Sequence, residues 1–253
     1  MEIASRTSDG VRWITLNRPA KANAMSLAMW RRLREEVVGA SADAGVRVIA
    51  VTGAGKYFCA GEDIADLADA DTVDASLSVF LDHIRPAFDA IACSPKVVIA
   101  AVNGPAVGAG TELTLVCDLA VASKDAYFAL PQGRLGIGPS IALGTGLSVL
   151  GRKRLAEMVL TGRRVPAQEA AAWGLVNSVC ESDLGEEVER LAEEVAAVPE
   201  PLLRLTKEVL VGQVRTAVYH ASFRDIALFS QSTETRDGIA SFLGGDRRKA
   251  PKR

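Results

Sequence analysis

The sequence predicts an α/β fold in which parallel strands alternate with helices. Short β-branched runs at 46–52 and 97–102 suit buried strands, and a stretch with helical periodicity separates them. The order of apolar strand, glycine turn and Ala-Gly-x-acid occurs twice, within 46–63 and within 97–118. Parallel strands require right-handed crossovers, so the repeated unit indicates a stacked or spiral arrangement rather than two unrelated lobes.

The first half of the chain supplies most of the predicted strands. Residues 11–16 are expected to form the first strand, and a helix follows it with Ser26 as its N-cap. The later strands are expected at 46–52, 97–102 and 116–122. A helix over about 72–92 connects two of them.

The second half is predicted to be nearly all helical from about residue 141. One helix ends at Gly162, the next begins after Pro166, and another covers 184–198, while 175–180 is the one expected strand. A soft boundary is placed near 190. The expected C-terminal helices are 200–212, 214–232 and 235–243.

Composition is that of a soluble globular protein. Hydrophobic residues make up 49% of the 253 residues and charged residues 24%, and 29 basic against 31 acidic side chains leave a net charge of −2. This balance argues against a nucleic-acid partner. The basic cluster at the C-terminus is expected to be a solvated end, although a contact with the phosphates of a small ligand stays open; it consists of Arg247, Arg248, Lys249, Lys252 and Arg253.

Cysteine usage and the N-terminus indicate a reducing compartment. The four cysteines lack paired close spacing, so neither a zinc site nor a disulfide framework is expected. The first ten residues contain acidic side chains and no apolar run, and no stretch approaches the roughly 18 apolar residues of a membrane span. We therefore expect a cytoplasmic protein without a membrane partner.

The two glycine turns predict an anion site beside a base. Turns of this kind leave amide N–H groups unpaired, and the helix that follows adds its positive end. The segments CAGED at 59–63 and GAGTE at 108–112 correspond, so both turns could converge on one oxygen atom.

Several familiar motifs are incomplete in this chain. TGAGKYF lacks the first glycine and the final Ser or Thr of a phosphate loop, GAGTEL lacks the third glycine of a dinucleotide fingerprint, and the turn at Ser140 lacks the last glycine of a nucleophile elbow. His83 and His220 lie far apart in helical segments, which favours ordinary structural roles.

Five segments resemble the enoyl-CoA hydratase/isomerase (crotonase) family in order and spacing. They are RPAKANAMS at 18–26, GKYFCAGEDI at 55–64, PKVVIAAVNGPAVGAGTEL at 95–113, LTGRRVPAQEAAAWGLVNSV at 160–179 and DGIASFL at 237–243. The resemblance implies a crotonase-like spiral of ββα repeats over 1–190, a helical trimerisation region over 191–253, and assembly as trimers or hexamers. It also implies an acyl-CoA thioester substrate, with coenzyme A as part of that substrate and no permanently bound cofactor or metal.

The family's catalytic positions are carried over by motif. The two oxyanion-hole amides fall on Ala60 and Ala109, and the first catalytic glutamate falls on Glu112. The second glutamate is replaced by Gln132, whose amide can hold a water but cannot exchange a proton near neutral pH.

The resemblance also assigns binding residues. Contacts with coenzyme A are expected at Lys21, Ala22, Ala24, Lys56, Ala60, Asp63, Ile64, Gly108 and Phe242. Residues 65–85 lie on the acyl side in the family. Their apolar members form either a pocket or helix core, and they are Leu67, Leu77, Leu81 and Ile84.

These residues favour a lyase or isomerase of the hydratase/isomerase type that stabilises a thioester enolate. Hydration with Glu112 alone should be slow, since losing a general acid or base typically costs about 100-fold to 10,000-fold. A double-bond shift needs less, with Ser140 near the place where family isomerases often hold an acid. The alternatives are an acyl-CoA decarboxylase of the same fold and a non-catalytic acyl-CoA-binding protein, the latter favoured by Gln132. Fatty-acid breakdown and biosynthesis are both compatible pathways.

Overall fold

A computed structural model describes residues 1–214 and 232–244, and it confirms the predicted α/β class. Its main feature is a six-stranded sheet in the order β1-β2-β3-β4-β6-β9. The strands are β1 (Ile3–Ser8), β2 (Val11–Leu16), β3 (Val48–Gly53), β4 (Val97–Val102), β6 (Leu119–Ser123) and β9 (Ser178–Cys180). All neighbours pair in parallel except β1, an edge strand antiparallel to β2 that the sequence did not predict.

Both faces of this sheet are covered, as parallel sheets require. In β4 every residue is buried, and alternate side chains enter two separate hydrophobic clusters. On one face the sheet packs with α1 (Leu27–Ala42) and α4 (Arg85–Ala92), and on the other with α9 (Leu184–Ala196). The β-branched runs of the sequence therefore lie at the centre of the core.

A second, three-stranded sheet gives the repeat its spiral form. It contains β5 (Ala106–Val107), β7 (Tyr127–Ala129) and β8 (Val165–Pro166). After β4 the chain enters β5 and then α5 (Ala109–Val116), and after β6 it enters β7 and then α6 (Ser140–Gly144). After β3 it forms a single bridge at Cys59 and then α2 (Ile64–Ala68). Each unit thus adds one long strand, one short pairing and one helix.

The helix expected over 72–92 is divided into three pieces. Thr72 caps α3 (Val73–Ser78), a π-helix follows at Val79–Ile84, and α4 completes the segment. Pro86 explains the division, because proline has no N–H and its ring clashes with the carbonyl four residues earlier. The Ser26 cap is confirmed, since its side chain accepts a hydrogen bond from the Met29 N–H.

The second half agrees with the predicted helices where it is described. Helix α7 (Gly146–Thr161) ends at Gly162, whose φ is +61°, and α8 (Ala167–Trp173) follows Pro166. The remaining helices are α10 (Glu200–Val214) and α11 (Thr233–Leu243). The helix expected at 214–232 and the basic tail lie outside the described residues. Residue 190 falls inside α9, and the division there stays a prediction.

Two strands begin later than the sequence suggested. The run 116–122 starts with the last residue of α5, so β6 begins at Leu119, and the strand expected over 175–180 covers its last three residues. Within the described part of the chain, no helix has both the length and the apolar composition to cross a membrane.

Helix α10 is attached to the sheet by an ion pair between buried Lys207 and largely buried Asp118. Lys207 Nζ donates to Asp118 Oδ2 at 2.7 Å and to the Lys96 carbonyl at 2.9 Å. The same Asp118 oxygen accepts from the Val98 N–H at 2.7 Å. Burial raises the pKa of Asp118, although the charge of Lys207 opposes this shift. Desolvation therefore offsets part of the Coulomb attraction in this pair.

Lys207→Met is expected to lower the free energy of unfolding by about 3 kcal/mol, because it leaves a buried carboxylate without its cation. Urea denaturation measures this loss. Adding Asp118→Asn should restore most of it, since the neutral amide oxygen still accepts from Val98. An equal loss in the single and double variants would contradict this explanation.

Candidate active site

The two glycine turns, which the sequence expected to converge on one oxygen atom, are in direct contact. A parallel bridge joins Cys59 to Ala106, and the Val107 N–H donates to the Cys59 carbonyl at 2.8 Å. A Cβ added at Gly110 would lie 2.4 Å from the Cys59 carbonyl oxygen. Gly61 has a φ of +109°, and a Cβ there would lie 3.8 Å from the Ala109 nitrogen. Glycine at these two positions therefore permits the close approach.

The Ala109 N–H is a free donor at this contact. Ala109 begins α5, where helical N–H groups have no intrahelical acceptor, and its N–H donates to no group in residues 1–214 or 232–244. The prediction for Ala60 is corrected by the structure. Its N–H donates to the Ala22 carbonyl at 3.0 Å, so a backbone acceptor already occupies it.

The Glu62 N–H, two residues after Ala60, lies in a different backbone pairing. The Met25 N–H donates to the Gly61 carbonyl at 2.8 Å, and the Asp63 N–H donates to the Met25 carbonyl at 2.9 Å. In such a parallel bridge the peptide N–H of the intervening residue points to the opposite side. Gly61, which precedes Glu62, lies against the turn that contains Ala109. Among the described residues, no group of another residue accepts from the Glu62 N–H.

Glu112 lies in the first turn of α5, one helical turn after Ala109, and is 3% exposed. Its Oε1 accepts from the Ile141 and Ala142 N–H groups at 2.8 and 3.0 Å. Its Oε2 accepts from Gln132 Nε2 at 3.2 Å. Two backbone donors thus fix one oxygen, and the second oxygen is held by a single side-chain contact. Oε2 is therefore the oxygen suited to exchange a proton.

Gln132 is buried beside both Glu112 and the first turn of α5. A Cβ added at Gly108 would lie 3.5 Å from its amide nitrogen. Its Oε1 is buried and has no hydrogen-bond partner in the described part of the protein. An unpartnered buried acceptor is costly, so it marks a place for a water or a ligand hydroxyl. The structure thus places the expected water-holding amide next to the carboxylate.

Glu62 is a second carboxylate at this site, and the sequence analysis assigned it no role. It is partly buried. This burial raises the pKa of Glu62 from 4.5 to about 7, although a hydrogen bond from its own backbone N–H opposes the shift. Burial and the charge of Glu62 raise the pKa of Glu112 from 4.5 to about 8, against the hydrogen bonds from its donors. The sequence carried one signal for Glu62, namely that CAGED contains two adjacent acids, Glu62 and Asp63. The comparison of the two repeats matched Asp63, and not Glu62, with Glu112.

Comparison with known proteins decides which family this site belongs to. The family model described as enoyl-CoA hydratase/isomerase matches residues 6–251. The chain belongs to the enoyl-CoA hydratase/isomerase family. It is therefore an acyl-CoA-processing enzyme of the hydratase/isomerase type.

Relatives in the family include both kinds of enzyme. The chain is 37% identical over 237 residues to the 2,3-dehydroadipyl-CoA hydratase of Escherichia coli, covering 91% of each protein. It is 33% identical to the 1,2-epoxyphenylacetyl-CoA isomerase of the same organism, covering 95% of each. The crystal structure of an enoyl-CoA hydratase/isomerase from Xanthobacter autotrophicus superposes with a TM-score of 0.86 at 31% identity, covering 100% of this chain and 99% of that one.

The segments expected to hold coenzyme A are adjacent in this hydratase/isomerase. Asn23 is fully buried, and its Nδ2 donates to the carbonyls of Ala54 and Tyr57 at 2.9 and 2.7 Å. This amide joins the loop that carries Lys21, Ala22 and Ala24 to the loop that carries Lys56. Lys21 and Lys56 are both exposed. Two cations thus lie on joined loops, and sequence analysis did not identify Asn23 as the residue that joins them.

The remaining expected contacts differ in their surroundings. Asp63 caps α2 and pairs with Arg18 Nη1 at 2.6 Å, which helps to hold the pKa of its carboxyl below the usual range despite partial burial. Its carboxylate is therefore already engaged by the protein. Ile64 begins α2 and is partly buried, Gly108 is the N-cap of α5, and Phe242 on α11 is 60% exposed.

An apolar groove lies on the side expected to receive the acyl chain. Its lining residues come from α2, the connection after it, α3, the π-helix, the turn after Gly136 and α11. They are Leu67, Ala70, Ser76, Val79, Phe80, Ile137 and Ile239. Of the four residues expected on the acyl side, Leu67 lines this groove and Ile84 belongs to the hydrophobic core. Leu77 and Leu81 pack against that core. Thr235 Oγ1 donates to the Gly136 carbonyl at 2.8 Å and fixes α11 over the groove.

Proposed function

We propose that this enzyme binds the thioester oxygen of an enoyl-CoA through the N–H groups of Glu62 and Ala109, with Glu112 as the acid/base. The observation that carries the proposal is the position of Glu112 one helical turn from the free Ala109 amide. The assignment retains Ala109 and Glu112 from the sequence analysis and replaces Ala60 by Glu62 as the second amide donor.

The chemistry of a thioester explains why these groups belong together. Removing a proton from carbon 2, or adding a nucleophile to carbon 3, moves negative charge onto the thioester oxygen. Preorganised N–H donors stabilise this charge, and each is worth about 3 to 4 kcal/mol in comparable oxyanion holes. Glu112 Oε2 then accepts or returns the proton. Because its pKa is raised toward neutrality, both protonation states are accessible near pH 7.

Hydration and isomerisation make different demands on Gln132. In hydration its unpartnered Oε1 accepts a hydrogen bond from the attacking water, while Glu112 takes the water's proton. In a double-bond shift one carboxylate carries a proton between carbons 2 and 4, and Gln132 positions that carboxylate through its Nε2 contact. We rank hydration and isomerisation together and place decarboxylation after them.

The test is the loss of the conjugated-thioester absorbance of crotonyl-CoA with the purified protein. Wild type should hydrate crotonyl-CoA, and Gln132→Glu should change the rate without abolishing it. Product analysis by mass spectrometry distinguishes an added water from an isomer when longer enoyl-CoA thioesters are supplied. Binding of these thioesters without any turnover would contradict the enzyme proposal and favour the acyl-CoA-binding alternative.

Homotrimeric or hexameric assembly and cytoplasmic localisation are part of this proposal. Helix α10 presents apolar side chains to solvent at helical spacing, namely Leu202, Leu205 and Val209, each more than half exposed. Such a stripe is typical of a surface that another protein surface covers. Bacterial relatives such as the Escherichia coli hydratase support a cytoplasmic enzyme, although other relatives are described as mitochondrial.

A further inference from the structure

Among the described residues, Glu62 differs from the other acidic residues around the site in having no cation or donor from another residue. Asp63, its neighbour, is occupied by Arg18 and by the cap of α2. Across residues 1–214 and 232–244, no ion pair and no side-chain hydrogen bond to another residue involves the Glu62 carboxylate. The Glu62 carboxylate accepts a hydrogen bond from its own backbone N–H.

The backbone directs Glu62 toward the second turn. Gly61 lies against Gly108, since a Cβ added at Gly108 would be 3.6 Å from the Gly61 Cα. The Glu62 side chain therefore begins one residue from this contact, and Glu112 follows Gly108 by four residues, in the first turn of α5. The charge of Glu62 is also the largest effect on the Glu112 pKa after burial. The two side chains therefore start from turns in contact, close enough for the charge of one to act on the other.

Two neighbouring carboxylates in a partly desolvated cleft destabilise a fold, since ionising one disfavours ionising the other. Such pairs are typical of acid/base sites, where a single shared proton gives one group the acid role and the other the base role. Asp118, by comparison, is a buried carboxylate that is matched by Lys207. Glu62 and Glu112 have no such cation in the described part of the chain.

We propose that Glu62 is a second catalytic carboxylate that works with Glu112 across the bound thioester, in place of the carboxylate that Gln132 cannot supply. This role rests on the proposed function. It uses the side chain of the residue whose N–H binds the thioester oxygen. When that oxygen binds the Glu62 N–H, it displaces the carboxylate from its own amide and leaves it beside carbon 2.

The proton balance of hydration is complete with this pair. The pair shares one proton, and hydration proceeds from the form in which Glu62 carries that proton and Glu112 is the carboxylate. As the water oxygen bonds to carbon 3, Glu112 takes one water proton, and the electron pair of the carbon–carbon double bond moves toward the thioester oxygen. Glu62 then gives its proton to carbon 2. Transfer of the new proton from Glu112 to Glu62 restores the starting state, so the pair holds one proton before and after turnover.

Glu62→Gln tests this role, because it keeps the N–H and the size of the side chain while removing the acid. We expect kcat on crotonyl-CoA to fall by about 100-fold to 10,000-fold, with KM within about threefold of wild type. The decisive variant is Glu62→Gln combined with Gln132→Glu, which returns a carboxylate to the cleft at another position. It should recover at least about tenfold in kcat. Glu186→Gln, an exposed carboxylate on α9, is the matched control and should leave kcat unchanged.

The outcomes separate this inference from the proposed function. An active wild type whose Glu62→Gln variant keeps kcat within threefold would overturn the role of Glu62 and leave the proposed function intact. A loss that Gln132→Glu does not recover would also overturn it, since the carboxylate would then not be what matters. Wild type without turnover on any enoyl-CoA would overturn the proposed function and this role together. If Glu62→Gln does not fold, Glu62→Ala is measured by the same criteria.

Discussion

Replacing Glu112 with glutamine is expected to lower kcat/KM on crotonyl-CoA by about 100-fold to 10,000-fold, because the group that exchanges the proton is lost. The fold should persist. Glutamine Oε1 still accepts from Ile141 and Ala142, and the new amide can donate to the unpartnered Oε1 of Gln132 after that side chain turns over. Steady-state kinetics beside the surface variant Glu186→Gln measure the effect. Activity within tenfold of wild type would contradict the assignment of Glu112.

Glu112→Gln should also be more stable than wild type at high pH, by a difference in the free energy of unfolding that grows as pH increases. The folded state holds the Glu112 pKa above its ordinary value of 4.5, at about 8, so the native protein keeps a proton that the unfolded chain releases. Wild-type stability from this group is therefore lost as pH rises from about 4.5 through about 8. Glu112→Gln removes that loss. The melting temperature of the variant should match that of wild type near pH 5 and exceed it near pH 8.5. The excess should be about 2 to 4 °C for each kcal/mol of difference in the free energy of unfolding.

Gly110→Ala is the second substitution with a large expected effect. The added Cβ would lie 2.4 Å from the Cys59 carbonyl oxygen, and a backbone atom cannot give way as the end of a flexible side chain can. The turns must separate, which moves the Ala109 and Glu62 amides apart. A displacement of about 1 Å can cost about 100-fold in rate, and overpacking costs about 1 to 3 kcal/mol in the free energy of unfolding.

Gly39→Ala provides the matched control for this steric argument. Gly39 lies within α1, and nothing lies within 4 Å of a Cβ added there. This substitution should leave kcat unchanged and raise the free energy of unfolding by about 0.5 to 1 kcal/mol, because alanine favours helix. Urea denaturation and crotonyl-CoA kinetics are measured on both variants. Equal kinetics for Gly110→Ala and wild type would mean that the contact between the turns does not position the amides.

Much of the fold could be predicted from the sequence because its signals are local. The β-branched runs of β3 and β4, the Ser26 cap and Gly162 each act through their nearest neighbours in the chain. The edge strand β1 was missed because its residues Ile3–Ser8 are largely exposed and polar, without a buried run. The division of the 72–92 helix was available in principle from Pro86, whose effect depends on its exact register within the helix.

The site was harder to predict because its donors are set by pairing between distant segments. Ala60 and Glu62 lie in the same motif, and which N–H is free depends on Ala22 and Met25, about 40 residues earlier in the chain. In the sequence repeat Asp63 corresponds to Glu112, since one residue separates each of them from an Ala-Gly pair. The structure shows that Asp63 is held by Arg18 while Glu62 remains without a partner from another residue in the described chain.

Exchange of the carbon 2 hydrogens of saturated acyl-CoA thioesters in D₂O tests the central claim most directly. It requires the two turns to hold the thioester oxygen while a carboxylate of the pair removes a proton, and it does not require a hydratable double bond. Mass spectrometry of acetyl-, butyryl- and hexanoyl-CoA should show deuterium incorporation with wild type, and little with Gly110→Ala or with the double variant Glu62→Gln, Glu112→Gln. Exchange that proceeds equally in this double variant, or a wild type that binds these thioesters without exchanging them, would contradict the account.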